Sequence, residues 1–259
     1  MEVTLQQGIL LSLMALVCGI DFALEGIFIF RPIMASFFAG IILGDVQLGL
    51  AAGAITELSY IGLLTIGGTV PPNPLMAGIM TVVIAHTAGT SAETALALSL
   101  PFALLMQWIT ISFHSLYSGL MGPLDRKAAE ADTKGFTRIV LLAGVAVGVA
   151  YAIVTFLSAY VAQEPITRFV NSFPVWFIHG FEVSGGLLPA VGLGLLLRTM
   201  LKKDNVVFLF IGFLMVTYLD LGNILPVAIA GVVAAYLSYS SDKRNTPSNT
   251  GGGISDDGI

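Results

Sequence analysis

Six carboxylates stand inside or at the edge of long apolar stretches of this chain: Asp21, Glu25, Asp45, Glu57, Glu182 and Asp220. A charged carboxylate at membrane depth costs roughly 2.5–3.5 kcal/mol on insertion scales, so each must face a partner, a wet cavity or an interface. Asp21 and Glu25 are four residues apart and share a face if that stretch is helical. Arg31 follows six residues later and is placed to neutralise one of them, or all three simply bound two segments at a membrane surface. Asp45, after Leu43-Gly44, reads as an interfacial turn or helix N-cap. Glu57 has apolar sequence on both sides and no Lys or Arg within 25 residues. A structural ion pair would need a distant partner, so Glu57 reads as a carboxylate that faces a ligand or a polar network.

Two breaks accompany these charges. Residues 67–74, Gly-Gly-Thr-Val-Pro-Pro-Asn-Pro, hold three prolines and two glycines and cannot continue a helix. Irregular backbone at membrane depth is tolerated where protein buries it or where it lines a cavity, and its freed amides and carbonyls can meet polar ligands. The bland alternative is a loop outside the membrane. A second break is expected at 173–186, where His179 and Glu182 are three apart and Gly185-Gly186 follow. Trp176 and Phe177 there suit an interfacial belt or a stacking platform for a sugar ring. The His-x-x-Glu pair lacks a companion ligand cluster, so no metal is expected, and His86 and His114 read as packing histidines. No Walker A motif and no nucleophile-base constellation is present, and no cofactor is expected. Broken apolar segments with cavity carboxylates read as a permease energised by an ion gradient or by a partner protein.

The elements that must position these groups follow from where charge is absent. Of 259 residues, 56% are hydrophobic and only 10% charged, against about 25% charged in a soluble domain. The net charge of −5 carries no basic field for nucleic acid. The single Cys18 excludes a disulfide framework. Uncharged runs cover 3–20, 58–92, 94–124, 139–163 and 221–241, each long enough to span as a helix. Shorter runs at 32–44, 183–197 and 205–219 read as tilted, broken or re-entrant. The expected fold class is therefore all-α: a polytopic membrane protein whose broken or re-entrant helices line a cavity. Residues 1–239 form one transmembrane domain, and 240–259, rich in Ser, Asn, Gly and Asp, form a disordered tail. Basic residues cluster in a polar loop at 123–138 (Arg126, Lys127, Lys134, Arg138), again at Arg198, Lys202 and Lys203, and in the tail, which places all three in the cytoplasm. Gly144 and Gly148, four apart on a long apolar helix, predict close packing against another helix.

Several of these segments resemble a known family. Leu5-Gln6-Gln7-Gly8, Gly19-Ile20-Asp21-Phe22, Phe30-Arg31-Pro32, Gly44-Asp45, Gly53 to Leu58, Pro71-Pro72-Asn73-Pro74 and His179-Gly180-Phe181-Glu182-Val183-Ser184-Gly185-Gly186 are similar, in order and over about residues 2–239, to enzyme IIC of the mannose/fructose/sorbose-type sugar phosphotransferase system. The Phe-Arg-Pro, Pro-Pro-Asn-Pro and His-Gly-Phe-Glu versions look like the N-acetylgalactosamine and galactosamine branch. The resemblance implies a multi-pass subunit of the bacterial inner membrane in an oligomeric complex. Its partners would be the membrane subunit enzyme IID and the phosphocarriers enzyme IIB and enzyme IIA. Phosphohistidines sit on those partners, so no phosphorylated catalytic residue is expected on this chain. It also implies an amino-sugar substrate, with mannose, fructose or sorbose as alternatives. Glu57, Pro72, Asn73, His179 and Glu182, with Asp21 and Glu25 as the further candidates, then become the substrate-binding set, lying between the two breaks. An ion-coupled secondary transporter, with Glu57 or Asp21 carrying a proton, and a non-transporting scaffold or receptor are the competing readings.

Overall fold

A computed structural model describes residues 2–63, 70–202, 205–219 and 222–245. All regular elements among them are helical. Gly67, Gly68, Thr69, Lys203, Asp220 and the tail beyond Asn245 lie outside the described residues. Among the described residues four helices are long and apolar enough to cross a membrane: Leu5–Leu24, Ala92–Ala129, Thr133–Val161 and Val175–Met200.

The chain opens with α1 (Leu5–Leu24), started by a capping box in which Thr4 and Gln7 satisfy each other's end of the first turn. The short helices α2 (Pro32–Leu43) and α3 (Val46–Tyr60) follow, joined by the two residues Gly44-Asp45. At 1.5 Å per residue they reach roughly 18 and 22 Å, short of the ~30 Å hydrocarbon core, so neither spans it alone, and they pack together as a helical hairpin. Two features permit so tight a turn. Gly44 takes the left-handed conformation at φ 80°, and Asp45 caps α3 by accepting from Leu48 N at 2.9 Å, as an N-cap should. Gly40 and Gly49 face each other so closely that a Cβ on either would strike the other's backbone.

The 58–92 run is not one helix. It divides at the Pro-rich stretch, and α4 (Pro74–Ala88) restarts with Asn73 as N-cap and Pro74 in its first turn. Almost every residue of α4 is buried, so it is the central element of the larger unit. Helix α5 (Ala92–Tyr117) continues through one tight turn, Ser118–Leu120, into α6 (Met121–Ala129). The expected polar loop at 123–138 is thus mostly helix, with only Glu130–Asp132 turning between α6 and α7 (Thr133–Phe156). Lys127 closes that turn by pairing with Glu130 and Asp132 at 3.2 and 3.0 Å, so the charges there support helix ends instead of an irregular loop.

Helices α1 and α7 pack along their length, as the glycine spacing predicts. Gly148 lies against the Leu16 carbonyl and Ile20, and Gly19 against Tyr151 and Gly148. The partner of the small-residue face is therefore within the chain. Helix α7 widens into a π-turn, Leu157–Val161, before the short amphipathic α8 (Gln163–Asn171).

The largest departure is at 173–186. The break is confined to Ser172–Pro174, between α8 and α9, and α9 (Val175–Met200) is then continuous through His179, Glu182, Gly185, Gly186 and even Pro189. Single glycines and prolines are tolerated in membrane helices because neighbouring protein satisfies the freed groups. The 183–197 run, too short to span alone, is the second half of this helix. From Met200 onward the described residues form a separate compact unit holding α10 (Val206–Tyr218) and α11 (Leu225–Asn245). Helix α11 carries six residues past 239, so the proposed domain boundary falls inside a helix.

Candidate functional site

The loop from Glu25 to Arg31 organises the polar groups of the first half. Glu25 ends α1 in the left-handed conformation at φ 47°, which turns the chain back over Asp21. Asp21, only 6% exposed, accepts from the backbone N–H groups of Ile27 at 2.7 Å, Ile29 at 2.7 Å and Phe30 at 3.3 Å. A carboxylate offers about four lone-pair directions, so three amides nearly fill it. Asp21 is a clamp on the loop, and Arg31 is not its partner.

Arg31 turns instead to Glu57. Its Nε donates to Glu57 Oε1 at 2.7 Å and its Nη2 to the same oxygen, while Ile33 N donates to Oε2 at 3.3 Å. The partner that Glu57 needed is thus 26 residues upstream, one position beyond the window in which none was found. Glu57 joins the α1–α2 loop to α3 and satisfies an amide at the open N-terminus of α2. The pair is half-buried, with 39% of the Arg31 and 17% of the Glu57 side chain exposed.

The backbone of the Pro-rich stretch is held from two sides. Gln107 Nε2 donates to the Val70 carbonyl, and Asn73 N donates to the Ala103 carbonyl at 3.1 Å. Pro71 and Pro72 have no N–H to satisfy. Asn73 is buried; its Oδ1 accepts from Met76 N at 2.9 Å and its Nδ2 donates to the Tyr151 hydroxyl. Its hydrogen-bonding capacity is mostly committed, which makes it a fastener of α4 to α7. Pro72 is partly exposed beside it. Ring contacts continue the connection, with Phe22 edge-to-face with Phe30 at 5.2 Å and tilted against Tyr151 at 5.8 Å.

A cavity of about 620 Å³ opens next to this cluster, between Phe22, Leu24, Glu25, Val70, Thr110 and His114, with Phe113 and Tyr117 as aromatic walls. That volume lies within the range of small-molecule sites. Of the sequence-selected residues, Glu25 lines it directly. Asp21 and the Arg31–Glu57 pair support the loop at its edge, and Asn73 holds the segment after Val70. His179 and Glu182 belong elsewhere. They sit at i and i+3 on an exposed face of α9, Nδ1 to Oε2 at 3.4 Å, 72% and 51% exposed. Helix α9 meets α3 at Gly192, whose Cα leaves no room for a Cβ against the Leu58 and Ser59 carbonyls. Ten residues separate Gly192 from Glu182, roughly 15 Å along the axis. Glu57 and Glu182 are therefore not brought to one point. Trp176 and Phe177 lie in a surface cluster of rings with Phe173 and Phe181.

Residues 5–237 match the family described as the PTS system sorbose-specific IIC component. The chain belongs to that family. It is 48% identical over 244 residues to the N-acetylgalactosamine permease IIC component 1 of Escherichia coli K12, covering 94% of this chain and 91% of that one. It is 27% identical to the sorbose-specific EIIC component of Klebsiella pneumoniae and 24% identical to the mannose-specific EIIC component of E. coli K12, each over 92% of this chain and 89% of theirs. Among solved structures, one described only as a membrane protein superposes with a TM-score of 0.78 at 24% identity, over 92% of this chain and 97% of that one. The mannose transporter ManYZ in complex with microcin E492 superposes at 0.54 with 23% identity, over 93% and 97%; both likenesses show the fold. The family and branch resemblance drawn from the motifs is borne out, as is a helical, multi-pass membrane subunit of a sugar phosphotransferase system.

In this IIC subunit the residues that sequence reasoning missed are on α5. Thr110, Phe113, His114 and Tyr117 recur at i, i+3, i+4 and i+7 and so share one face. That spacing was the available signal, masked by reading His114 singly.

Proposed function

We propose that this IIC subunit carries N-acetylgalactosamine or galactosamine across the bacterial inner membrane, together with enzyme IID, for phosphorylation by enzyme IIB, itself charged by enzyme IIA. The observation that carries this reading is the 48% identity to a permease named for N-acetylgalactosamine, twice that to the mannose-specific relative.

The sugar occupies the cavity beside the Glu25–Arg31 loop. Phe22, Phe113 and Tyr117 present ring surfaces to the apolar face of the sugar, and Glu25, Thr110 and His114 meet its hydroxyls. The Arg31–Glu57 pair, Asp21 and Asn73 position that wall, with Pro72 keeping the break open. His179 and Glu182 precede Gly185, which packs on Glu93 at the start of α5, so they stand at the far end of α5 from the Thr110–Tyr117 wall and are outside this site. The cavity lies where α1 ends, against the second half of α5 and Val147 in the middle of α7, on the side of the unit toward the α6–α7 turn. With that turn and the C-terminal tail in the cytoplasm, the site faces the phosphorylating partner. Phosphorylation adds about two negative charges, and Glu25 then repels the product instead of holding it.

Phosphoenolpyruvate-dependent uptake of labelled sugars in cells carrying all four components tests the reading. Amino-sugar uptake is expected without mannose uptake. Glu25→Gln and His114→Phe are each expected to weaken sugar binding about 10- to 150-fold, the loss of a charge-assisted or buried hydrogen bond. Uptake that ignores phosphoenolpyruvate and collapses with a protonophore would reverse the assignment in favour of an ion-coupled carrier.

A further inference from the structure

The opposite end of the same unit holds a second cavity, about 720 Å³, between the N-terminal segment, the end of α4, the π-turn and α8. We propose that it is an outer vestibule, a weak site for neutral or cationic sugars that loads the transporter before translocation. The proposal rests on the amino-sugar reading and orientation given above.

The pocket has a built frame. Gln163 clips the first residues to α8, accepting from Val3 N at 2.7 Å and donating to the Val3 carbonyl at 3.0 Å. Ile166 packs on the core and Val170 is buried, which seats α8 on the protein, while Phe169 stays 61% exposed beside Phe173. The polar face of α8 carries Glu164, Thr167, Arg168 and Asn171 at i, i+3, i+4 and i+7, and all four line the cavity. The π-turn brings Tyr160 and Val161 to the same wall; such turns recur at functional sites.

The lining chemistry identifies the ligand class. The side chains of Thr167 and Asn171 make no hydrogen bond among the described residues, and together they offer hydroxyl and amide donors and acceptors to a concave space. Arg168 pairs with Glu164, and Glu2 adds a second carboxylate. Two carboxylates against one guanidinium leave a net negative lining. Hydroxyl-rich neutral ligands fit it, a protonated amino sugar fits it better, and a phosphorylated sugar is repelled. With the basic α6–α7 turn in the cytoplasm this cavity faces outward, since α1 starts and α7 ends there.

A cysteine at Ser172, on the pocket wall, reads occupancy directly, because the native Cys18 is buried and silent. Impermeant maleimide should label Ser172→Cys from outside intact cells. Galactosamine should protect it with half-effect at roughly 1–10 mM, the range of a loading site, N-acetylgalactosamine more weakly, and galactosamine 6-phosphate not at all. Adding Thr167→Val with Asn171→Leu should weaken protection at least fivefold, while Glu25→Gln, which strikes the inner site, should leave it unchanged. Labelling from the cytoplasmic side only, or no protection by either sugar at concentrations well above that range, would overturn the vestibule whatever uptake shows. Failed amino-sugar uptake with intact protection would instead sink the transport reading alone.

Discussion

Breaking the Arg31–Glu57 pair separates a positioning carboxylate from a ligand-binding one. Glu57→Gln keeps the shape and removes the charge; Arg31→Met keeps most of the stem and removes the guanidinium. Two guanidinium N–H groups and one backbone amide point at Glu57. A hydrogen bond to a charged group contributes about 1.5–3 kcal/mol, and stranding one partner of a fully buried pair costs about 3–5 kcal/mol. With 39% of Arg31 and 17% of Glu57 exposed, solvent screens part of that, and about 2 kcal/mol per single change is the expected cost. Each single variant then shifts the folding equilibrium roughly 30-fold. The double variant should cost little more than either single one, because the second change removes a group already stranded; the expected coupling is about 1–2 kcal/mol. The assay is denaturant or thermal unfolding of the purified subunit in detergent, run beside equilibrium sugar binding. Additive losses of stability would refute the pairing. Unchanged stability in Glu57→Gln with lost sugar binding would make Glu57 a direct ligand instead.

Three further outcomes are expected. Gly148→Leu places side-chain atoms against the Leu16 carbonyl and Ile20 and should cost about 1–3 kcal/mol or more by overpacking; expression and assembly should fail while Ala146→Leu, on an exposed position of the same helix, is tolerated. Thr133→Cys, at the exposed start of α7, should label from the cytoplasmic side only; labelling from outside intact cells would reverse the orientation of the whole unit. The Gly135 amide and then Lys127 hold the Asp132 carboxyl below its ordinary value of 3.8. Its support of the α6–α7 turn is therefore fully present above that value and lost as pH falls through the lower folded one, so proteolysis at Glu130–Asp132 should rise only under strong acid. In Asp132→Ala the cleavage should already be raised at neutral pH, with a smaller further rise in acid because only the Glu130–Lys127 pair remains.

Gaps between charges were enough to place most apolar helices, because a charged residue is costly in the hydrocarbon core and water is available only outside it. The two-residue turn at Gly44-Asp45 and the helix restart at Asn73-Pro74 were also legible, since capping and proline chemistry act between near neighbours. The motif order was enough for the family. Three things were decided by the tertiary structure alone. Glu57 acquired a partner because the α1–α2 loop, folded over Asp21, carried Arg31 to α3, and no local pattern encodes a contact between 26-residue neighbours in different elements. Past Pro174 the expected break at 173–186 became an unbroken helix because the glycines of α9 serve close approach, at Gly185 to the Glu93 carbonyl and at Gly192 to Leu58 and Ser59. Composition cannot tell a glycine that bends the chain from one that lets another backbone in. Last, the cavity beside Glu25 assembled from α1, α5 and α7, and its polar residues on α5 look like ordinary core until three helices enclose them.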